Sequence, residues 1–211
     1  IDDQTGSRNR NIRSPSQLGE LVHNLHGLAP KGAQATLMVA IDQEGGYVNR
    51  LRPAKGFPKT LSARRLGRRD QIAITRTQAE QTAQTLKKLG INFNLTPVVD
   101  LMTNPKNPII GAVERAYGAE VERVVRHAQA VIEGHHAHGI RCALKHFPGH
   151  GSSRQDSHLG FVDITDTWQR AELEPFAQLI AGGFADAVMT GHLFLRSLDP
   201  DYPATLSPKI L

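Results

Sequence analysis

The sequence predicts an α/β protein, and within that class an incomplete portion of a (β/α)8 barrel of the TIM type. Short apolar runs rich in β-branched residues alternate with amphipathic helical segments, and polar side chains follow the end of each run. With 211 residues, of which 39% are hydrophobic, the chain can bury a substantial core. We therefore expect residues 1–211 to form one partial barrel domain.

Four apolar runs predict buried strands. Helical segments separate the runs, so the strands they form must be parallel. Strands that are buried on both faces show continuous apolar sequence rather than alternation, as these do. The four predicted strands are residues 36–41, 91–99, 140–144 and 185–190.

Four segments between and around these strands predict helices. Ser14 supplies an N-cap before Pro15 at the first helical position, with Gln17 at the capping-box position. Apolar residues at spacings of three and four form a stripe over 121–135, which predicts a helix that Gly139 terminates. A further helix is predicted over about 70–89, and a short one from Pro175 to Gly182 and Gly183.

The polar side chains at the strand ends favour a barrel over an open sheet. Barrel enzymes build their sites at the carboxyl ends of all strands, whereas an open sheet concentrates ligands at one switch point. No G-x-G-x-x-G fingerprint follows any strand. The residues at the strand ends are Asp42, Glu44, Asp100, Lys145, His146 and His192.

Charge and composition argue against several classes of partner. The formal net charge is +5, but Lys and Arg are scattered apart from the cluster of residues 64–69, so we expect no nucleic-acid partner. Cys142 is the single cysteine and lies in an apolar run, which predicts a buried thiol. No apolar run approaches membrane-spanning length.

The segment K-H-F-P-G-H-G at 145–151 concentrates the chemically usable side chains. Lys145 and His146 end a strand, and the backbone break at Pro148-Gly149 allows both to reach one pocket. Asp156 and His158 are two residues apart, so an extended loop would bring them together as a candidate acid/base dyad. The alternatives are a salt-bridged lysine, a packed histidine and a solvated D-x-H sequence.

A second polar set follows the first strand. Asp42 can accept hydrogen bonds from neighbouring sugar hydroxyls, and Arg50 can hold an ether, amide or carboxylate oxygen, so the pair fits polyol recognition. The alternative is a carboxylate that Arg50 merely neutralises.

Two other sites are compatible with parts of the histidine-rich loop. A phosphate could lie in the G-H-G-S-S run, but the lysine spacing of a P-loop is missing. His146, His150 and His158 could bind zinc in a metal-dependent hydrolase, but their spacing matches no familiar helical zinc motif. We expect no metal and no cofactor.

Six motifs follow one another along the chain. They are I-D-Q-E-G-G-Y-V-N-R at 41–50, F-N-L-T-P-V-V-D at 93–100, N-P-I-I-G ahead of Arg115, K-H-F-P-G-H-G with D-S-H at 145–158, V-M-T-G-H at 188–192 and P-A-T-L-S-P at 203–208. In this order they resemble the N-terminal barrel domain of glycoside hydrolase family 3, in its β-N-acetylhexosaminidase branch.

The resemblance implies a retaining exo-hydrolase that removes β-linked N-acetylglucosamine, typically from peptidoglycan fragments. His158 would be the acid/base and Asp156 its assistant, in departure from the usual pair of carboxylates. A histidine suits both roles because its ordinary pKa lies near working pH. Sugar contacts are expected from Asp42, Arg50, Arg115, Lys145 and His146.

The resemblance also implies a nucleophilic aspartate on a later strand, beyond Leu211. We expect the domain to be truncated at both ends, since the chain starts at Ile1 rather than Met and stops where a helix would begin. The alternatives are a non-catalytic carbohydrate-binding module and a β-glucosidase-type hydrolase. We expect a cytoplasmic protein, with a periplasmic or lipid-anchored one as the alternative, and leave the oligomeric state open.

Overall fold

The computed structural model describes residues 11–30, 37–156 and 160–211. Its centre is a four-stranded parallel sheet, which confirms the α/β class. The strands are β1 (Ala40–Ile41), β4 (Phe93–Asn94), β5 (Arg141–Phe147) and β7 (Ala187–Thr190), adjacent in that order. Each successive strand adds to the same edge, so the order contains no reversal of the kind that defines an open doubly wound sheet.

The four predicted strands exist, but most are shorter than their apolar runs. The run at 91–99 pairs as a strand only at Phe93–Asn94 and again as an isolated bridge from Val98 to Lys145. Pro97 lies between these two pairings and has no N–H to donate to a neighbouring strand, which accounts for the interruption. Strand β5 instead runs three residues past its predicted end, to Phe147.

The predicted helices form close to their expected bounds. They are α1 (Pro15–Gly27), α3 (Ile72–Lys88), α4 (Val121–His136) and α5 (Glu174–Ala181). Ser14 caps α1, with its Oγ accepting from the Gln17 amide at 3.2 Å. Gly182 is the C-cap of α5.

Three features were not predicted from the sequence. The arginine-rich segment Ala63–Arg69 forms helix α2, capped by Ser62. Strands β2 (Gln43–Gly45) and β3 (Val48–Asn49) form an antiparallel hairpin directly after β1. Strands β6 (Val162–Asp163) and β8 (Leu193–Phe194) pair in parallel next to the main sheet.

The main core lies between the sheet and the pair α3 and α4. Val124, Ala128 and Ile132 of α4 are fully buried there, together with Leu144 of β5 and Leu179 of α5. A second core packs α1 against α3 around Val22 and Leu86. These cores pack against the faces of the sheet, so the carboxyl ends of the strands remain free to carry polar groups.

Within the described ranges, every helix is too short or too polar to cross a membrane.

Candidate functional site

A continuous polar network lies at the carboxyl ends of β1, β4 and β5. It joins four of the residues that the sequence predicted for sugar contact to two more carboxylates. The members are Asp42, Glu44, Asp100, Arg115, Lys145 and His146. We refer to these six residues as the strand-end network.

Glu44 occupies the centre of the strand-end network. Its Oε1 lies 2.6 Å from Lys145 Nζ and 2.8 Å from Arg115 Nη2, and its Oε2 accepts from Arg115 Nε at 2.8 Å. The Glu44 side chain is only 6% exposed and that of Lys145 only 1%. Burial opposes the ionisation of Glu44, but the two cations outweigh it and hold the pKa of this carboxyl well below its usual range.

The hairpin β2–β3 is what places Glu44. The Asn94 side chain of β4 exchanges hydrogen bonds with the backbone of Gln43, from Gln43 N at 3.0 Å and to Gln43 O at 3.1 Å. The Gln43 side chain in turn donates to Asn49 and accepts from the amide of Leu51. Strand β2 is thereby fixed to β4 and strand β3 to β2, and Glu44 has a defined position beside β5.

A bulge in β5 explains how two adjacent side chains reach the same network. Lys145 pairs with Met189 and Phe147 with Thr190, so His146 is an extra residue in the ladder. Lys145 then contacts Asp42 and Glu44, while His146 contacts Asp100 and Arg115. The sequence prediction that both residues enter one pocket agrees with this geometry.

His146 is held as a neutral imidazole. Burial, helped by Arg115 and Lys145 and opposed by Asp100, lowers the pKa of His146 to about 4. Nδ1–H donates to Asp100 Oδ2 at 2.7 Å, because an ionised carboxylate can only accept. Nε2 therefore accepts from Arg115 Nη2 at 3.1 Å, and His146 has no nitrogen left over for proton transfer.

Asp100 connects the strand-end network to the histidine-rich loop. Its Oδ1 accepts from the amides of His146 and His150, at 3.1 and 2.8 Å. Burial opposes its charge, but His146 and His150 lower the pKa of this carboxyl below its ordinary value. Asp100 is fully buried, so its role is to orient these partners rather than to contact a ligand directly.

Arg115 lies in a long connecting segment whose backbone is held by hydrogen bonds to the Asn107 side chain. Asn107 Oδ1 accepts from the amides of Ile109 and Ile110, and the Arg115 amide donates to Ile110 O. Arg115 Nη1 also donates to Ile109 O at 3.0 Å. Arg115 therefore lies in the network despite the long spacer that precedes it.

Asp42 is the most accessible member of the strand-end network. Its Oδ1 accepts from Lys145 Nζ at 2.9 Å, and its side chain is 35% exposed. Arg50 is half-buried just after β3, and across the described ranges its guanidinium makes no hydrogen bond or ion pair. The partner of Asp42 is therefore Lys145 rather than Arg50, and the structure does not bring Arg50 into the network.

The predicted acid/base pair is only partly described. Asp156 is half-buried and lies close enough to His150 for its charge to act on that imidazole. His158 lies outside the described residues, so its pairing with Asp156 stays a prediction. The zinc alternative also includes His158, and among the described residues no group of three or more potential ligands could hold a metal ion.

Glu44 and Asp100 are the two members of the network that sequence reasoning did not select as site residues. Both were recognisable as strand-end carboxylates. What the sequence did not reveal is their pairing, since Glu44 and Arg115 are 71 residues apart and Asp100 and His146 are 46 apart.

The chain resembles proteins of one glycosidase family in both sequence and structure. The family model described as "Glycosyl hydrolase family 3 N terminal domain" matches residues 4–211. A β-hexosaminidase of Tolumonas auensis is 36% identical over 203 residues, which cover 94% of this chain and 58% of the relative.

Two solved structures share the fold. A family 3 β-N-acetylglucosaminidase from Paenibacillus sp. str. FPU-7 superposes with a TM-score of 0.87 and 35% identity, over 96% of this chain and 38% of that one. NagZ from Neisseria gonorrhoeae, in complex with N-trifluoroacetyl-D-glucosamine, superposes with a TM-score of 0.83 and 29% identity. The match covers 96% of this chain and 58% of that one. The chain thus spans between 38% and 58% of the length of these three proteins.

These likenesses confirm the predicted barrel, of which the described strands form a portion. They also confirm the resemblance that the six motifs indicated. The chain belongs to glycosyl hydrolase family 3, and residues 4–211 match the N-terminal domain of that family.

Proposed function

We propose that the protein containing this chain is a retaining exo-β-N-acetylglucosaminidase that acts on peptidoglycan fragments. The observation that carries the proposal is the strand-end network, which presents hydrogen-bonding charged groups at the carboxyl ends of parallel strands. Relatives in this family that are named as β-hexosaminidases and β-N-acetylglucosaminidases support the choice of sugar.

The geometry supports recognition of a polyol at Asp42. One of its oxygens accepts from Lys145, and the other has no hydrogen-bond partner among the described residues. A half-exposed carboxylate held in this way can accept from neighbouring sugar hydroxyls through charge-assisted bonds. Arg115 and Lys145 keep Asp42 and Glu44 compensated, so the site needs no counter-ion from the substrate.

In the proposed mechanism, His158 protonates the leaving glycosidic oxygen and then, as neutral imidazole, activates water. Asp156 orients His158 and stabilises its cationic form, as a carboxylate beside a catalytic imidazole does. An aspartate that follows Leu211 in the chain would form and release the glycosyl ester. His146 is unsuited to this proton transfer, because hydrogen bonds to Asp100 and Arg115 occupy both of its ring nitrogens.

The test is an assay of the full-length protein on a chromogenic β-N-acetylglucosaminide and on the matching β-glucoside. We expect preference for the N-acetylglucosaminide and a β-configured first product by NMR. His158→Ala should lower kcat/KM by about 10²–10⁴, the usual contribution of a general acid/base. His23→Ala, an exposed histidine of α1, is the matched control and should leave activity unchanged.

Three results would contradict parts of the proposal. Preference for the glucoside would indicate the β-glucosidase branch. Binding of N-acetylglucosamine with no turnover would indicate a carbohydrate-binding module. Activity that needs stoichiometric zinc and is lost with chelator would indicate the metal-dependent alternative.

A further inference from the structure

Glu172 is a buried carboxylate that lies outside the strand-end network. It belongs to the short 3-10 turn Arg170–Leu173 that leads into α5, and its relative exposure is 0%. Its two oxygens accept from backbone amides, Oε1 from Gln169 at 3.2 Å and Oε2 from Ser152 at 3.3 Å. Among the described residues, no lysine or arginine forms an ion pair with Glu172.

A buried carboxylate without a cationic partner is costly, which calls for an explanation. Desolvation penalises its charged form, and two amide hydrogen bonds offset only part of that penalty. A hydrophobic side chain would fill the space without that penalty. Of the two bonds, the one to Gln169 caps a local turn, whereas the one to Ser152 reaches a segment 20 residues away.

Ser152 lies in the loop that follows β5 and leads to Asp156. We call residues 148–153 the loop root. Three other side chains hold this root through its backbone atoms. Asp100 accepts from the His150 amide at 2.8 Å, Asn107 donates to His150 O at 2.6 Å, and Asn104 donates to Ser153 O at 2.9 Å.

The contact between Glu172 and the loop root is tight. Gly149 has φ +120°, and a Cβ built on it would lie 2.6 Å from Glu172 Cβ. The neighbouring Trp168 donates from Nε1 to Pro148 O at 3.0 Å. The loop root is therefore held by hydrogen bonds to five side chains, namely those of Asp100, Asn104, Asn107, Trp168 and Glu172.

We infer that Glu172 is a positioning residue for general acid/base catalysis, acting through the Ser152 amide on the loop that carries Asp156. The inference rests on the proposed function, because it assigns the acid/base role to this loop. Among the described residues, Glu172 makes no hydrogen bond or ion pair with a member of the strand-end network, although the charge of Asp100 acts on it. It fixes the direction in which the chain leaves the root toward Asp156.

The experiment compares two substrates in the full-length protein. One is an N-acetylglucosaminide of 2,4-dinitrophenol, which leaves without a proton, and the other has an alkyl aglycone, which needs one. The parameter is kcat/KM, because it reports the step in which the acid acts. The variants are Glu172→Ala and Glu172→Gln, and the control is Glu174→Ala, which removes an exposed carboxylate two residues further on.

We expect Glu172→Ala to lower kcat/KM on the alkyl substrate by about tenfold to hundredfold and on the dinitrophenyl substrate by less than about threefold. Glu172→Gln keeps one acceptor oxygen for the Ser152 amide, so it should restore part of the loss. His158→Ala is the reference for selective loss on the alkyl substrate. Glu174→Ala should match wild type on both.

Equal losses on the two substrates in Glu172→Ala, or none, would overturn the inference while leaving the proposed function intact. Wild-type protein without activity on either substrate would overturn the proposed function and the inference with it. A reference His158→Ala without selective loss would contradict the acid assignment instead. If circular dichroism shows that Glu172→Ala is unfolded, Glu172→Gln, which keeps the size of the side chain, decides by the same substrate ratio.

Discussion

Glu44 and Glu172 are both buried glutamates, yet the protein compensates them in different ways. Glu44 lies between Lys145 and Arg115, and these cations keep its pKa well below the usual range despite burial. Glu172 is held by backbone amides, and burial raises its pKa above its ordinary value. Its cations favour the charged form of the first carboxylate, whereas burial disfavours the charged form of the second.

The difference separates two tasks. A charge-paired glutamate holds two cationic donors in fixed positions at the strand ends, which suits contact with a polar ligand. An amide-bonded glutamate holds main chain, which suits the anchoring of a loop. Four variants test this difference, from the largest to the smallest expected effect on the free energy of unfolding.

The largest effect should come from Lys145→Ala. The substitution leaves Glu44 buried with one cation instead of two and removes the hydrogen bond to Asp42. Breaking a buried ion pair on one side costs about 3–5 kcal/mol, and we expect a loss of that size in urea unfolding. Lys87→Ala, at an exposed position of α3, should change stability by less than about 0.5 kcal/mol. Equal losses in the two variants would show that the network contributes nothing to the fold.

Glu44→Gln should cost about 3 kcal/mol at pH 7, because Lys145 then keeps Asp42 as its ion-pair partner while Arg115 loses its ion pair. The cost should depend on pH. The folded pKa of Glu44 lies below its ordinary value of 4.5, so the unfolded chain binds the proton first as pH falls. The difference in unfolding free energy between wild type and Glu44→Gln should therefore shrink below about pH 4.5. Glu20→Gln, exposed on α1, is the control.

Glu172→Gln should cost about 1–2 kcal/mol near neutral pH, through the hydrogen bonds it weakens. The pH dependence of this cost should have the opposite sign to that of Glu44→Gln. The folded pKa lies above the ordinary 4.5, so the folded chain binds the proton first, and Glu172 stabilises the fold more as pH falls toward 4.5. The difference between wild type and variant should grow on acidification. Parallel pH profiles for Glu44→Gln and Glu172→Gln would contradict the distinction between the two carboxylates.

The smallest effect on stability should come from Asp42→Asn, because Lys145 keeps Glu44 as its partner and Asp42 is 35% exposed. We expect less than about 1 kcal/mol in unfolding. Activity should nevertheless fall by about a hundredfold or more, since charge-assisted hydrogen bonds to sugar hydroxyls are lost. Asp201→Asn, exposed in the final turns, should change neither quantity. Unchanged activity in Asp42→Asn would remove this residue from the sugar site.

The parts of the fold that were predictable are those in which local pattern and packing agree. Helix α4 follows its apolar stripe to within a residue of the predicted end, and β5 follows its apolar run. The hairpin β2–β3 was missed because it depends on contacts with Asn94, 51 residues away, rather than on strand-like composition. Helix α2 was missed because its arginines hide the helical pattern, although Ser62 supplies an N-cap.

The candidate site shows the same contrast between features that depend on local sequence and features that depend on long-range contacts. Residue type and strand-end position were enough to select Asp42, Lys145 and His146. The role of Glu44 and the contact of Glu172 with Ser152 depend on partners that are far away in the chain, although Glu172 also forms a local capping box with Gln169. Long-range pairing is what the sequence of a single protein does not display.

The loop root also divides the chain into positions that can and cannot be diversified. A Cβ built on Gly151 would lie 1.6 Å from the carbonyl oxygen of Leu101, so no side chain fits between these two backbones. Arg154 and Gln155, three and four residues later, are exposed. A mutagenesis library that aims to retune substrate choice while keeping the fold should therefore leave Gly149 and Gly151 untouched and randomise Arg154 and Gln155.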